Sequence, residues 1–301
     1  MAYFKNKGNI LKHKLTVKLI IITLLITTTC KSDFGKNSEL EKVLKKVKDT
    51  KQTALKILEA QTTKTDDELK RQKNFIIAIL KSKTTRAKYT LKIHKNDIWT
   101  ENNDLYGINE QGQAFYVAKN SDNGEIYSSD RNKAARKLIY LAFEHRLPAI
   151  TNFGKILNKL AESADTNINH APNEYDIKTE YNILIENILA EAKKYAHNYF
   201  EVALIPLYEK KDKLNSLSLE ILSDLKDKFD ELQKIRDTCK MYAETVYNDF
   251  KNDKDKIRTS STNLRNYINK NNYKHKFKEL IKKTEEPAYK ISQILNKIQT
   301  H

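Results

Sequence analysis

Side chains that can do chemistry are few in this sequence and stand apart from one another. Only two cysteines occur, Cys30 and Cys239. The histidines, at positions 13, 94, 145, 170, 197, 275 and 301, include no pair four residues apart. Phe143-Glu144-His145-Arg146 opens like a zinc-binding helix but has no second histidine in register. Asp122-Asn123-Gly124-Glu125 has calcium-loop character, yet with Gly124 at the invariant glycine position the first ligand falls on Lys119, which cannot serve. Acid pairs such as Asp66-Asp67 and Glu285-Glu286 fall near expected helix starts, where carboxylates offset the helix dipole. Dinucleotide, phosphate-loop and serine-nucleophile signatures are absent. The expectation is a protein with no catalytic residue, no metal ligand and no cofactor, and thus no enzyme.

Cys30 is the one position where spacing points to a modification. Lys5, Lys7, Lys12 and Lys14 form a positive start, Leu15 to Ile26 is apolar apart from Thr16, Lys18 and Thr23, and no acid occurs before Asp33. That apolar run is shorter than the roughly 20 residues of a membrane-spanning helix and has the length of a signal-peptide core. A cysteine directly beyond such a core is where a bacterial lipoprotein is acylated and cleaved. Thr27 and Thr29 stand where Leu and a small residue are usual, so the cleavage motif is relaxed. The alternative is an uncleaved anchor with an incidental cysteine. On the first reading residues 1–29 are a signal peptide, 30–37 a lipidated tether and 38–301 a helical domain. Two or more acyl chains on Cys30 would give stable anchoring. Cys239, in an apolar helical seam, reads as a small buried hydrophobe and not as a reactive thiol.

Composition narrows the partners. The 301 residues carry a formal charge of +16, which falls to +11 once the five lysines of residues 1–29 are removed. The bases are 47 lysines and only 8 arginines, with no zinc-finger spacing or dense arginine stripe, so nucleic acid is not an expected partner. Most of the lysines are expected on solvated helix faces, with a weak affinity for polyanions as the lesser reading.

Six glycines and four prolines in the whole length leave little to break helices. The fold class expected is all-α: a single bundle of five to seven helices, with a long helix near 214–250 and a C-terminal helix. Ser38 with Glu41 and Thr65 with Glu68 form capping boxes that open two separate helices. Residues 83–125 are the least regular stretch, with extended pieces expected around Tyr89–Ile93 and Phe115–Ala118 and with the sole tryptophan, Trp99, either folded onto the bundle or facing a ligand. Pro148 ends or kinks one helix, Pro206 marks a corner, and Pro287 kinks or divides the terminal region. Between 214 and 250, Leu217, Ile221, Leu225, Phe229, Leu232, Ile235, Cys239, Tyr242, Val246 and Phe250 repeat every three or four residues, the period of one helix face.

Four segments carry a family resemblance: Ile126-Tyr127-Ser128-Ser129, Arg136 to Glu144, Phe153-Gly154-Lys155-Ile156-Leu157-Asn158-Lys159-Leu160, and Glu209-Lys210-Lys211-Asp212-Lys213-Leu214. Through them the chain resembles the paralogous surface lipoproteins of Lyme-disease spirochaetes, the family that includes the complement-regulator-acquiring, factor H-binding protein. The resemblance implies a helical bundle, lipid-anchored in the cell outer membrane and exposed to host fluids, with a terminal helix that makes a homodimer in the factor H-binding member. Only Cys30 carries over as a site residue, as the lipid-attachment position; partner-binding residues do not. The functional expectation is a virulence-associated surface antigen, palmitoylated at Cys30, that binds a host serum or matrix protein for immune evasion, with a complement component or plasminogen foremost. An adhesin for matrix or glycosaminoglycan, and an antigenic coat protein without a specific ligand, are the alternatives.

Overall fold

The computed structural model describes residues 37–101, 106–164 and 172–298. The expected signal segment, Cys30 and most of the expected tether lie outside the described residues. The chain divides into two compact units, one ending at Asp67 and the other beginning at Glu68. Among the described residues, the buried apolar core runs from Ile77 to Ile298, within the second unit.

Helix α1, Asn37–His94, is continuous through Thr65 and Glu68, where a new helix was expected. A capping box starts a helix only where something stops the preceding one, and residues 59–68 contain neither glycine nor proline. Tyr89–Ile93 is likewise helical, not extended. Ile77, Leu80, Thr84 and Leu91 keep a single buried face at helical spacing, which overrides the local preference of Tyr, Thr and Ile for strands. Phe115 to Val117 belongs to a single helical turn, α2, Ala114–Val117, and Ala118 follows it in extended conformation. Among the described residues the only strand-like pairing beside it is an isolated bridge between Lys119 and Ile126.

Helices α3, Lys133–Ala142, and α4, Leu147–Ala161, are joined by a turn in which Glu144 and His145 both adopt left-handed backbone (φ 57° and 54°). Pro148 therefore sits in the first turn of α4, where its missing N–H costs nothing. Helix α5, Pro172–Ala196, runs into a wider π-type stretch, His197–Leu204, and on into α6, Ile205–Lys210. Pro206 marks no corner. The amide of Ile205 bonds five residues back to Phe200, and this widened winding absorbs a proline that would otherwise collide with the carbonyl four residues behind it.

Helix α7, Leu219–Lys251, is the expected long helix, about 50 Å at 1.5 Å per residue, capped by the Ser218 hydroxyl on the Ile221 amide. Helices α8, Ser261–Lys270, α9, Tyr273–Lys282, and α10, Glu285–Asn296, complete the chain. Pro287 divides the terminal region: it lies in the first turn of α10, behind Glu285 and Glu286. The described residues thus form an all-α fold, cut into more pieces than five to seven because α2 and the turns before α4, α9 and α10 interrupt it.

Two apolar clusters share α7 as a common wall. Leu222, Leu225, Phe229 and Leu232 meet α10, the π stretch, α6 and the Ile77 to Leu91 face of α1. Val246 and Phe250 meet α3, α4, α5 and α8, along with Phe115 and Tyr127. Because α7 belongs to both, a void at its centre is felt widely. Leu225→Ala, at a fully buried position, is expected to cost about 2–5 kcal/mol, and Leu69→Ala, at a half-exposed one, under about 0.5 kcal/mol, both read by urea unfolding.

Candidate functional site

Two of the segments that carry the family resemblance, Ile126 to Ser129 and Arg136 to Glu144, meet at one buried guanidinium. Arg136, on α3, donates from Nε to Glu101 Oε2 (2.7 Å) and from Nη1 to the carbonyls of Tyr127 (2.6 Å) and Ser129 (2.7 Å). The side chains of Arg136 and Glu101 are 5% and 6% exposed. Tyr140, one turn further along α3, gives its hydroxyl to the other Glu101 oxygen. Burial first, and then the Glu101 charge, push the Tyr140 phenol far above its ordinary range, so it stays a donor. Removing one partner of such a buried pair costs about 3–5 kcal/mol. The segment preceding α3 is therefore tied down, and Trp99 folds onto the bundle, with its ring 6.0 Å from Tyr140 and 5.9 Å from His145.

The neighbouring residues extend this clamp. Asn158, on α4, donates to the Gly107 carbonyl (2.6 Å) and accepts from the Ala114 amide (3.0 Å). Gly154, one turn earlier, lets the chain lie directly on α4: a Cβ there would stand 3.3 Å from the Tyr106 carbonyl oxygen. Asp122-Asn123-Gly124-Glu125 forms a tight turn, with Gly124 at φ +72° and its amide on Asn120. Its carboxylates pair within the protein, Asp122 with Lys193 (2.6 Å) and Glu125 with Arg131 (2.7 Å) and Ser129 (2.8 Å). In the fourth segment Glu209 pairs with Lys95 and Asp212 with Lys81 (2.9 Å), while Lys210 donates to the Leu295 carbonyl near the end of α10 (2.8 Å).

Histidines that stand singly in sequence meet in space. Glu201, in the π stretch, lies between His94 Nε2 (3.2 Å) and His197 Nδ1 (2.8 Å), and the bonds from these rings hold its carboxyl below the ordinary range against the opposing effect of burial. The His145 ring lies 6.1 Å from that of His94, tilted by 34°, and neither of its ring nitrogens has a protein partner among the described residues. Burial, then His94 and Lys137, bring its pKa down from 6.5 to about 4. Glu144, beside it in sequence, points to Arg236 on α7 instead. The positions of these residues, more than 50 apart along the chain except within the His197–Glu201 pair, gave no motif that could have announced them. No group of three or more His, Cys, Asp or Glu side chains among the described residues is arranged to hold a metal ion. Cys239 is partly buried and unpaired, and burial pushes its thiol up to about 11, so little thiolate exists at neutral pH. Cys30, the lipid-attachment candidate, lies outside the described residues.

The His145 environment sets a pH dependence. Its folded pKa lies below the unfolded value, so the neutral ring favours the fold above pH 6.5, and that stability is lost as pH falls from 6.5 toward 4. Between pH 7 and pH 5 the loss is about 2 kcal/mol, at about 1.4 kcal/mol per pKa unit. In His145→Asn, whose side chain tolerates left-handed backbone, urea unfolding at the two pH values should differ by about 2 kcal/mol less than in the parent.

Comparison with known proteins places this arrangement. No functionally curated protein matches the chain. Among solved structures, the Borrelia spielmanii protein BSA64, described as an orthologue of B. burgdorferi BBA64, superposes with a TM-score of 0.57 at 18% identity, over 76% of this chain and 99% of that one. The Lyme disease associated outer surface protein BBA65 from B. burgdorferi superposes at 0.54 with 20% identity, over 72% and 99%. At such identities the likeness concerns the fold. The model of the family described as Borrelia Bbcrasp-1 domain containing protein matches residues 95–296, which spans Arg136, Glu101 and every helix from α2 to α10. The chain is thus a member of the Borrelia Bbcrasp-1 domain family.

Proposed function

We propose that this protein is an outer-surface lipoprotein, held to the cell outer membrane by acyl chains on Cys30, that binds a host protein without catalysing a reaction. A complement component or plasminogen is the foremost class of partner, and immune evasion the consequence. The observation that carries this reading is the family match over residues 95–296, joined to a signal-like segment that ends at a lone cysteine. Two relatives of the same fold support it: BBA65 is described as an outer surface protein, and BSA64 belongs with it in architecture.

The internal chemistry agrees with a binding role. Arg136, Glu101, Glu201, His94, His197, Glu144 and Arg236 are all engaged with one another or with backbone. Groups paired in this way hold the shape that a binding surface needs. No helix among the described residues is long and apolar enough to cross a membrane.

Two measurements test the proposal together. Protease shaving of intact cells should remove the protein, and mass analysis of its N-terminal peptide should find an acylated Cys30; a retained residue 1–29 segment would contradict it. The purified protein mixed with serum should retain a host protein at micromolar concentration, and retention of none would remove the binding role while leaving the anchor standing.

A further inference from the structure

Residues Ser261–Thr284, which form α8, α9 and the turn after it, carry Arg265 and six lysines against a single acid, Glu279. Helix α7 behaves differently: its eight acids and six bases answer one another, as in Lys226 with Asp230, Lys228 with Glu231 and Lys240 with Glu244. On α8 and α9 the only ion pair among the described residues is Arg265 with Glu180. Lys270, Lys274, Lys278, Lys282 and Lys283 are exposed and have none.

Helix geometry gathers part of this charge on one face. Tyr273 and Ile281 are buried and Phe277 is half-buried, and they fix the inner side of α9. Lys274, Lys278 and Lys282, each four residues from the next, then line the outer side about 6 Å apart, with His275 beside them. Like charges at this spacing destabilise a helix, and Lys274 also sits in a first turn that has no acid and no capping side chain. The one acid on α9, Glu279, makes no ion pair with these lysines, and on α5 the carboxyl of Glu191, which feels Lys194 and Lys278, is pushed up by burial. The fold thus keeps a row of unanswered positive charge on a ten-residue helix that would be more stable without it.

We infer that the outer face of α9 is a docking surface for a linear sulfated polysaccharide. Charge complementarity sets the class of ligand. Lysines in a row supply point charges for an evenly charged strand, whereas phosphate forks favour arginine, and the one arginine nearby is engaged with Glu180 and the Tyr181 ring. Single-stranded nucleic acid would need exposed aromatic rings between the charges, but Tyr267 and Tyr273 are buried. A membrane surface would need exposed apolar residues on the same face, and α9 presents none. Display outside the cell, where such polysaccharides occur, rests on the function proposed above; the binding itself does not.

The test uses the full chain on immobilised heparin, with duplex DNA and anionic phospholipid vesicles as parallel arms. Retention at about 0.15 M salt is expected, with weaker holding on the other two. Replacing Lys274, Lys278 and Lys282 together by Gln should weaken heparin binding at least about tenfold and flatten its salt dependence by about two to three charges, with helix content unchanged by circular dichroism. Replacing the equally exposed Lys119, Lys133 and Lys155 by Gln should change affinity less than about twofold. Equal losses in both triple variants would reduce the effect to net charge and overturn the inference. So would absence of retention, or tighter holding on DNA or vesicles. None of these results bears on whether Cys30 is acylated or a serum protein is bound.

Discussion

A guanidinium that is 5% exposed cannot be left without partners, and Arg136 is answered from three directions: the Glu101 carboxylate and the carbonyls of Tyr127 and Ser129. Its desolvation is tolerable only while all of them stay in place. That requirement reaches well beyond one salt bridge. Glu101 must be held near α3, so the chain that leaves α1 is drawn back across the bundle. Tyr127 and Ser129 must present their carbonyls, so the turn that precedes α3 is fixed. Asn158 and Gly154 on α4 hold the intervening backbone from the other side. A stretch poor in regular structure thereby becomes part of the core.

The same economy governs how residues of catalytic type are paired. Glu144 and His145 are adjacent in sequence and share a left-handed turn, yet one side chain goes to Arg236 and the other to the His94 and Trp99 rings. Glu201 is divided between two histidines on different elements. Each pairing joins helices that touch α7, the wall common to both apolar clusters. What the molecule presents outward is a relief of helix faces, and on the basic side of α9 the lysines have no ion-pair partner among the described residues.

Periodic apolar spacing made α7 legible, because Leu225, Phe229 and Leu232 must face inward whatever the neighbours are. The division at Pro287 was legible too, from two acids placed ahead of a proline. Local signals failed where a longer-range demand outweighed them. The Thr65 and Glu68 capping box lies inside α1, since nothing stops the helix before it. Tyr89–Ile93 has strand-forming residues, but Leu91 continues the face begun by Ile77 and Leu80. Pro206 stays within a helical run because the π stretch makes room for it. The Arg136 knot was half visible: its members lie in the segments that resemble the family, but nothing in their types says that Glu101 completes them. The histidine cluster could not be seen at all, as it depends on four residues brought together by the packing of three separate elements.

The dependence on Arg136 is open to direct measurement by amide hydrogen exchange on Arg136→Met, which keeps much of the side-chain volume and removes the charge. The account predicts faster exchange across 106–132, beside an unpaired Glu101, while α7 and α10 retain their protection. Unchanged protection across 106–132 would contradict it, because the knot would then be a consequence of the fold and not its support.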